Sequence, residues 1–195
     1  MHLNRPLVIY CSHPVVVLNK DSLTLIEDSV AVQPKEVKFT DASRQHLQIT
    51  YAWKENKNYK VVLPAECMTD IFGLKNDTLK VSFRTRGLTD YGSMQVKLKA
   101  NNYPSENIFQ LVNEKNEPAR EFTCMRDTSF TLDFLLPGTY RMRLVYDKNK
   151  NRKEDTGNYL QKLQPEPVLY YPEKLTIRAN WDVEATWSAA FPEGK

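Results

Sequence analysis

Four oxygen-bearing side chains fall within one short polar stretch: Asp147, Asn149, Asn151 and Asp155, in the run Asp-Lys-Asn-Lys-Asn-Arg-Lys-Glu-Asp-Thr-Gly-Asn-Tyr that ends at Tyr159. Hard oxygen donors at alternate positions of a tight loop suit a calcium ion, because about six to eight ligands must converge on it. Asp147, Asn149 and Asn151 fit the first, third and fifth positions of an EF-hand-type loop and Asp155 the ninth, with backbone carbonyls and water completing the shell. The fit fails at Arg152, where such a loop has its invariant glycine, and at Asn158, where it has its bidentate glutamate. The cations Lys148, Lys150, Arg152 and Lys153 also oppose a divalent ion. In the competing reading, Asp and Asn cap their own backbone and Gly157 ends a long hairpin loop. Calcium is the one cofactor this chain suggests.

A second chemistry comes from the aromatics Tyr159, Tyr170, Tyr171, Trp181 and Trp187, which gather toward the C-terminus. Aromatic rings stack on sugar faces, so an exposed platform of these five would bind glycan; the alternative is that they fill a core. Other chemistries find no support. His2, His13 and His46 form no short-spaced pair of the zinc-binding kind. No nucleophile elbow, phosphate-binding glycine loop or dinucleotide fingerprint occurs. Adjacent carboxylates such as Glu27-Asp28 and Glu154-Asp155 would point to opposite faces of a strand and cannot share acid-base work. The expectation is a protein that is not an enzyme.

The elements that must position these residues read as strands. With 27 basic and 24 acidic residues the formal charge is only +3, too balanced for a nucleic-acid footprint. No apolar run approaches the roughly 20 residues of a spanning helix. Cys11, Cys67 and Cys124 are too few and too scattered for a disulfide framework, and their apolar contexts suit buried thiols. Met1-His2-Leu3-Asn4-Arg5-Pro6 lacks the features of a signal peptide, so the chain is either not exported or part of a longer one.

Short β-rich runs recur with turn signals between them, which is the pattern of a sandwich. In the first half they cover Leu7–Leu18, broken at Pro14, then Ser22–Ile26, Val30–Val32, Glu36–Phe39, His46–Tyr51, Tyr59–Leu63 and Thr78–Thr85. Pro14, which has no amide proton to give a ladder, marks a bulge, an edge or a crossing between sheets. Leu47, Ile49, Tyr51 and Trp53 share a face, and Trp53 is placed in the core. Gly73 takes a left-handed conformation that closes a turn. In the second half the runs are Met94–Leu98, Phe109–Asn113, Ala119–Cys124, Ser129–Phe134 and Thr139–Tyr146, with a turn over Asn101–Pro104.

The order of the His13-Pro14-Val15 strand, Leu47-Gln48-Ile49-Thr50-Tyr51, Asn58–Leu63, Thr69-Asp70-Ile71-Phe72-Gly73 and Val81–Thr85 resembles the bacterial Ig-like domain of the S-layer protein type. Phe130–Arg141, with its Leu136-Pro137-Gly138-Thr139-Tyr140 turn, looks like the prealbumin-like or carboxypeptidase-regulatory-like sandwich. Asp147–Tyr159, Gln164–Val168, Tyr170–Pro172 and Arg178–Asp182 together resemble the C-terminal region of Ig-like-domain-containing surface proteins of Bacteroidetes, whose pattern usually has glycine where Arg152 stands. The resemblance implies an exported protein at the outer-membrane surface or in the periplasm, with a lipid anchor upstream of this chain.

The sequence therefore predicts an all-β protein of two tandem β-sandwiches, an Ig-like one over 1–86 and a prealbumin-like one over 87–195. It is expected to be a non-catalytic structural or interaction module of an exported protein, with a protein or cell-surface glycan as partner and no nucleic acid. The alternative is a carbohydrate-binding module that uses the C-terminal aromatics.

Overall fold

The computed structural model describes residues 1–101, 107–124 and 127–190, and the chain divides into two compact units, Met1–Leu88 and Thr89–Lys195. The fold is all-β: among the described residues the only helical pieces are single 3-10 turns. The expected turn at Asn101–Pro104 lies outside the described residues from 102 onward.

The first unit contains β1 (Leu7–Tyr10), β2 (Val15–Leu18), β3 (Thr24–Glu27), β4 (Val30–Val32), β5 (Glu36–Phe39), β6 (His46–Thr50), β7 (Asn58–Leu63), β8 (Met68–Asp70) and β9 (Leu79–Arg84). A three-stranded sheet ordered β1-β6-β5 faces a four-stranded sheet ordered β4-β3-β7-β9, and β2 pairs with β8 as a separate ribbon. Alternation makes this possible: Leu47 and Ile49 of β6 point inward with Leu25 of β3 and Tyr59, Val61 and Leu63 of β7, and all are buried in one cluster. Burying each such side chain is worth roughly 1.5–3 kcal/mol. Pro14 lies where the chain leaves the β1 sheet and enters the β2–β8 ribbon, so of its three possible roles the crossing is the one realised. Trp53 is buried and packs edge-on against Tyr59 and Phe83. Gly73 has φ 79°.

Tyr59 is 2% exposed, and its hydroxyl donates to Glu27 Oε2 at 3.0 Å while accepting the Lys54 amide at 3.0 Å. Lys54 Nζ, then the Tyr59 and Tyr51 hydroxyls, hold the Glu27 carboxyl below the usual glutamate range. Burial lifts the Tyr59 phenol from its ordinary 10.0 to about 12.

The second unit contains β10 (Gly92–Asn101), β11 (Asn107–Asn113), β12 (Pro118–Cys124), β13 (Thr128–Leu135), β14 (Gly138–Tyr146), β15 (Val168–Tyr170), β16 (Leu175–Ile177) and β17 (Asp182–Ala190). One sheet runs β13-β10-β17; the other runs β12-β11-β14-β15, with β16 also on β14. Register places Phe122, Phe109, Leu144 and Leu169 in one inward row. Val96, Leu98 and Trp187 of the facing sheet share their cluster. β17 pairs parallel with β10 along its whole length, from Ser93↔Asp182 to Asn101↔Ala190. A parallel neighbour requires a long crossover, here everything between the two strands. Gly92 permits the close approach of the Arg178–Trp181 turn, since an added Cβ would lie 2.5 Å from the Arg178 carbonyl oxygen and 2.6 Å from Ile177 Cγ2.

Two outcomes follow. Gly92→Ala is expected to destabilise the second unit by about 3 kcal/mol through overpacking; in a urea titration followed by NMR, resonances of 89–190 lose their native positions at lower urea while those of 1–88 do not. An unchanged midpoint for 89–190 would contradict the packing described. Because the Tyr59 pKa is raised on folding, its contribution is fully present below pH 10 and is lost as pH rises toward 12. Melts of the first unit should lose stability over that window, and Tyr59→Phe should flatten the dependence; identical slopes in the two proteins would refute it.

Candidate functional site

β14 and β15 are antiparallel neighbours, Val145 opposite Val168, and the Tyr146 amide donates to the Pro167 carbonyl at 3.0 Å. The segment 147–167 is therefore one long loop between adjacent strands, and all four candidate calcium ligands lie on it. It falls into a folded base and a protruding apex.

Asp147 organises the base. Its side chain is fully buried at 0% exposure; Oδ1 accepts the Asn151 amide at 3.1 Å and Oδ2 the Arg152 amide at 2.8 Å. For the chain to turn its amides back on that carboxylate, Lys150 and Arg152 take φ of 60° and 61°, the left-handed region that favours glycine. The arginine at position 152 thus carries backbone strain where the resembling pattern has glycine. Asn149 Oδ1 accepts the Asn151 amide at 3.0 Å, and Asn151 Oδ1 accepts the Lys153 amide at 2.8 Å. Asp155 Oδ2 accepts from Asn149 Nδ2 at 2.6 Å and from Asn151 Nδ2 at 3.0 Å.

Glu166 completes the base and was not among the residues singled out from the sequence. It is 9% exposed; Oε1 accepts the Lys148 amide at 2.8 Å and Oε2 the Asp155 amide at 3.1 Å, while its own amide donates to the Asp155 carbonyl at 3.0 Å. Its signal was a carboxylate held between Pro165 and Pro167, just ahead of β15. Arg143 on β14 adds an ion pair to Glu154 at 2.9 Å between half-buried side chains.

The structure thus brings Asp147, Asn149, Asn151 and Asp155 together, but as partners of one another. Both asparagines aim their N–H groups, not their oxygens, at Asp155, and both amide oxygens accept backbone amides. A calcium ion requires oxygen where these donors stand. Among the described residues no cluster of His, Cys, Asp and Glu is arranged to hold a metal. As placed, these side chains turn N–H groups where the ion would need oxygens, and hydrogen bonds together with the Arg143–Glu154 ion pair shape the base.

The apex is a small hairpin. The Asn158 and Leu163 amides and carbonyls pair at 3.0 and 2.9 Å, the Lys162 amide donates to the Tyr159 carbonyl at 3.2 Å, and Asn158 Oδ1 accepts the Gln161 amide at 3.2 Å. Gly157, at φ 82°, lets the arms close: a Cβ there would lie 2.8 Å from the Pro165 nitrogen. Tyr159 is 96% exposed, Leu160 90% and Leu163 59%.

The five aromatics do not form one platform. Trp187 is 5% exposed and lies in the core, with Tyr171 packed edge-on against it, so these two are corrected from ligand to packing residues. The reason is phase: β17 alternates outward Asp182, Glu184, Thr186 and Ser188 with inward Ala185, Trp187 and Ala189. Trp181 precedes β17 in a turn, is exposed, and has the Arg178 guanidinium 4.9 Å from its ring centroid. Tyr170 is exposed on β15, in the other sheet from β17.

No family model and no curated protein matches the sequence. Among solved structures, the chain is similar to BcpA, the major pilin subunit of Bacillus cereus, at 11% identity and a TM-score of 0.32, over 93% of this chain and 57% of that one. It is also similar to the group B streptococcus pilus 2b backbone protein, at 14% identity and a TM-score of 0.26, over 94% of this chain and 83% of that one. The chain spans little more than half of the Bacillus cereus subunit, and likenesses of this size carry no role across. Among the described residues no helix is long and apolar enough to cross a membrane.

Thermal unfolding of the second unit should have the same midpoint in excess calcium and in chelator. Asp147→Ala should lower stability by about 3 kcal/mol in both, the loss expected when a buried charged acceptor of two amides is removed. A rise of several degrees in calcium that Asp147→Ala abolishes would show instead that the loop rearranges to bind the ion.

Proposed function

We propose that this chain is a non-catalytic interaction module that presents the β14–β15 loop to a partner. The observation that carries the reading is the division of labour in that loop. Its carboxylates and amides are engaged in shaping the base, while Tyr159 and Leu160 stand almost wholly in solvent at the apex. Exposing large apolar side chains is ordinary when they are scattered, but two together at the tip of a hydrogen-bonded hairpin suit recognition. The two sandwich cores supply the frame. The resemblance of 147–182 to the C-terminal region of Bacteroidetes surface proteins supports an exported setting, at the outer-membrane surface or in the periplasm and within a longer, lipid-anchored protein. A sugar platform is less well supported, because Tyr171 and Trp187 face the core and Arg178 lies over one face of Trp181.

A photo-crosslinking residue at Leu160, compared with one at exposed Thr176 on β16, tests the reading in cells that make the full-length protein. Position 160 should give a discrete adduct, to protein or lipid, that position 176 does not give and that Asp147→Ala weakens. Equal labelling from the two positions, or none from 160, would contradict it.

A further inference from the structure

The apex carries more than apolar surface. The segment around it holds five cations, Lys148, Lys150, Arg152, Lys153 and Lys162, and four carboxylates, Asp147, Glu154, Asp155 and Glu166. All five cations are exposed, whereas all four carboxylates are buried or half-buried. Asp147 and Glu166 bind backbone amides, Asp155 binds two asparagines, and Glu154 pairs with Arg143. The near balance of formal charge therefore hides a division in space: positive side chains face outward and negative ones inward.

We infer that this apex docks on an anionic lipid surface, with Tyr159, Leu160 and Leu163 entering the headgroup boundary and the cations meeting lipid phosphates. The inference rests on the presentation reading above and names the partner's chemistry. Two features favour a bilayer over a protein groove. Tyr159 and Leu160 project from a convex turn, which a fluid interface receives without a matching concavity, and tyrosine places a polar tip on an apolar body as that interface requires. Depth also agrees. Two residues, Thr156 and Gly157, separate Asp155 in the base from Asn158 at the apex, and the three steps between them reach no more than about 10 Å. Interfacial apolar groups enter by about 5–10 Å, so the Lys148–Lys153 turn stays within about a Debye length of the phosphates.

Cosedimentation of the full chain with vesicles tests this, using phosphatidylcholine alone and phosphatidylcholine with about one third phosphatidylglycerol. Binding should appear only with the anionic lipid and fall steeply with salt. Tyr159→Ser with Leu160→Ser should weaken it about tenfold or more, since both apolar side chains are then lost from the headgroup boundary. Lys148→Gln with Lys150→Gln and Lys153→Gln should remove the preference for anionic lipid. All these side chains are exposed, so the variants should keep the wild-type melting midpoint. No binding to anionic vesicles, or binding that the Tyr159 and Leu160 double variant retains in full, overturns the inference. A protein adduct from position 160 without vesicle binding overturns the lipid assignment and leaves the presentation reading standing. Loss of both overturns both.

Discussion

A carboxylate with no access to water must find donors inside the protein, and Asp147 is such a group at the point where β14 ends. Its donors are the amides of Asn151 and Arg152, and the chain can bring them back only by curling through left-handed conformations at Lys150 and Arg152. Once the turn is curled, Asn149 and Asn151 lie within reach of Asp155, and Glu166 returns from the β15 side to fasten the amides of Lys148 and Asp155. The position of the apex is a consequence of these bonds. The sandwich beneath supplies two antiparallel neighbours, β14 and β15, from which the loop leaves and to which it returns.

The strands from β1 to β14 were largely legible because alternation is a local signal: Leu47 with Ile49, or Tyr59 with Val61 and Leu63, marks a buried face whatever lies opposite. Partnership was not legible. The parallel pairing of β17 with β10 depends on residues far apart in sequence, and nothing in Asp182–Ala190 names its neighbour. Trp181 and Trp187 have the same parity, and a strand containing both would have put them on one face. The strand begins at Asp182, after the turn that holds Trp181, so one tryptophan is exposed and the other is core.

The loop shows the same limit at finer scale. Spacing alone put Asp147, Asn149, Asn151 and Asp155 on one loop, and the structure does gather them there. Spacing could not say which end of each asparagine amide would face Asp155, and that orientation separates a metal cage from a self-satisfied turn. Glu166 was missed because its partners are backbone amides: the prolines beside it mark a fixed backbone, but not which amides its carboxylate would accept. Arg152 was noticed as a departure from glycine, and its φ of 61° gives the departure a physical meaning.

A buried carboxylate pair, Asp147 and Glu166, holds this loop in one shape. Amide hydrogen exchange of the unmodified protein reads that hold at each bonded amide. The amides of Lys148, Asn151, Arg152 and Asp155, though on a surface loop, should exchange as slowly as those of β14, because each is bonded to a buried or half-buried carboxylate. The Leu160 amide at the apex should exchange quickly. Fast exchange at all five positions would mean that the loop is not held as described, and the presentation of its apex would lose its physical basis.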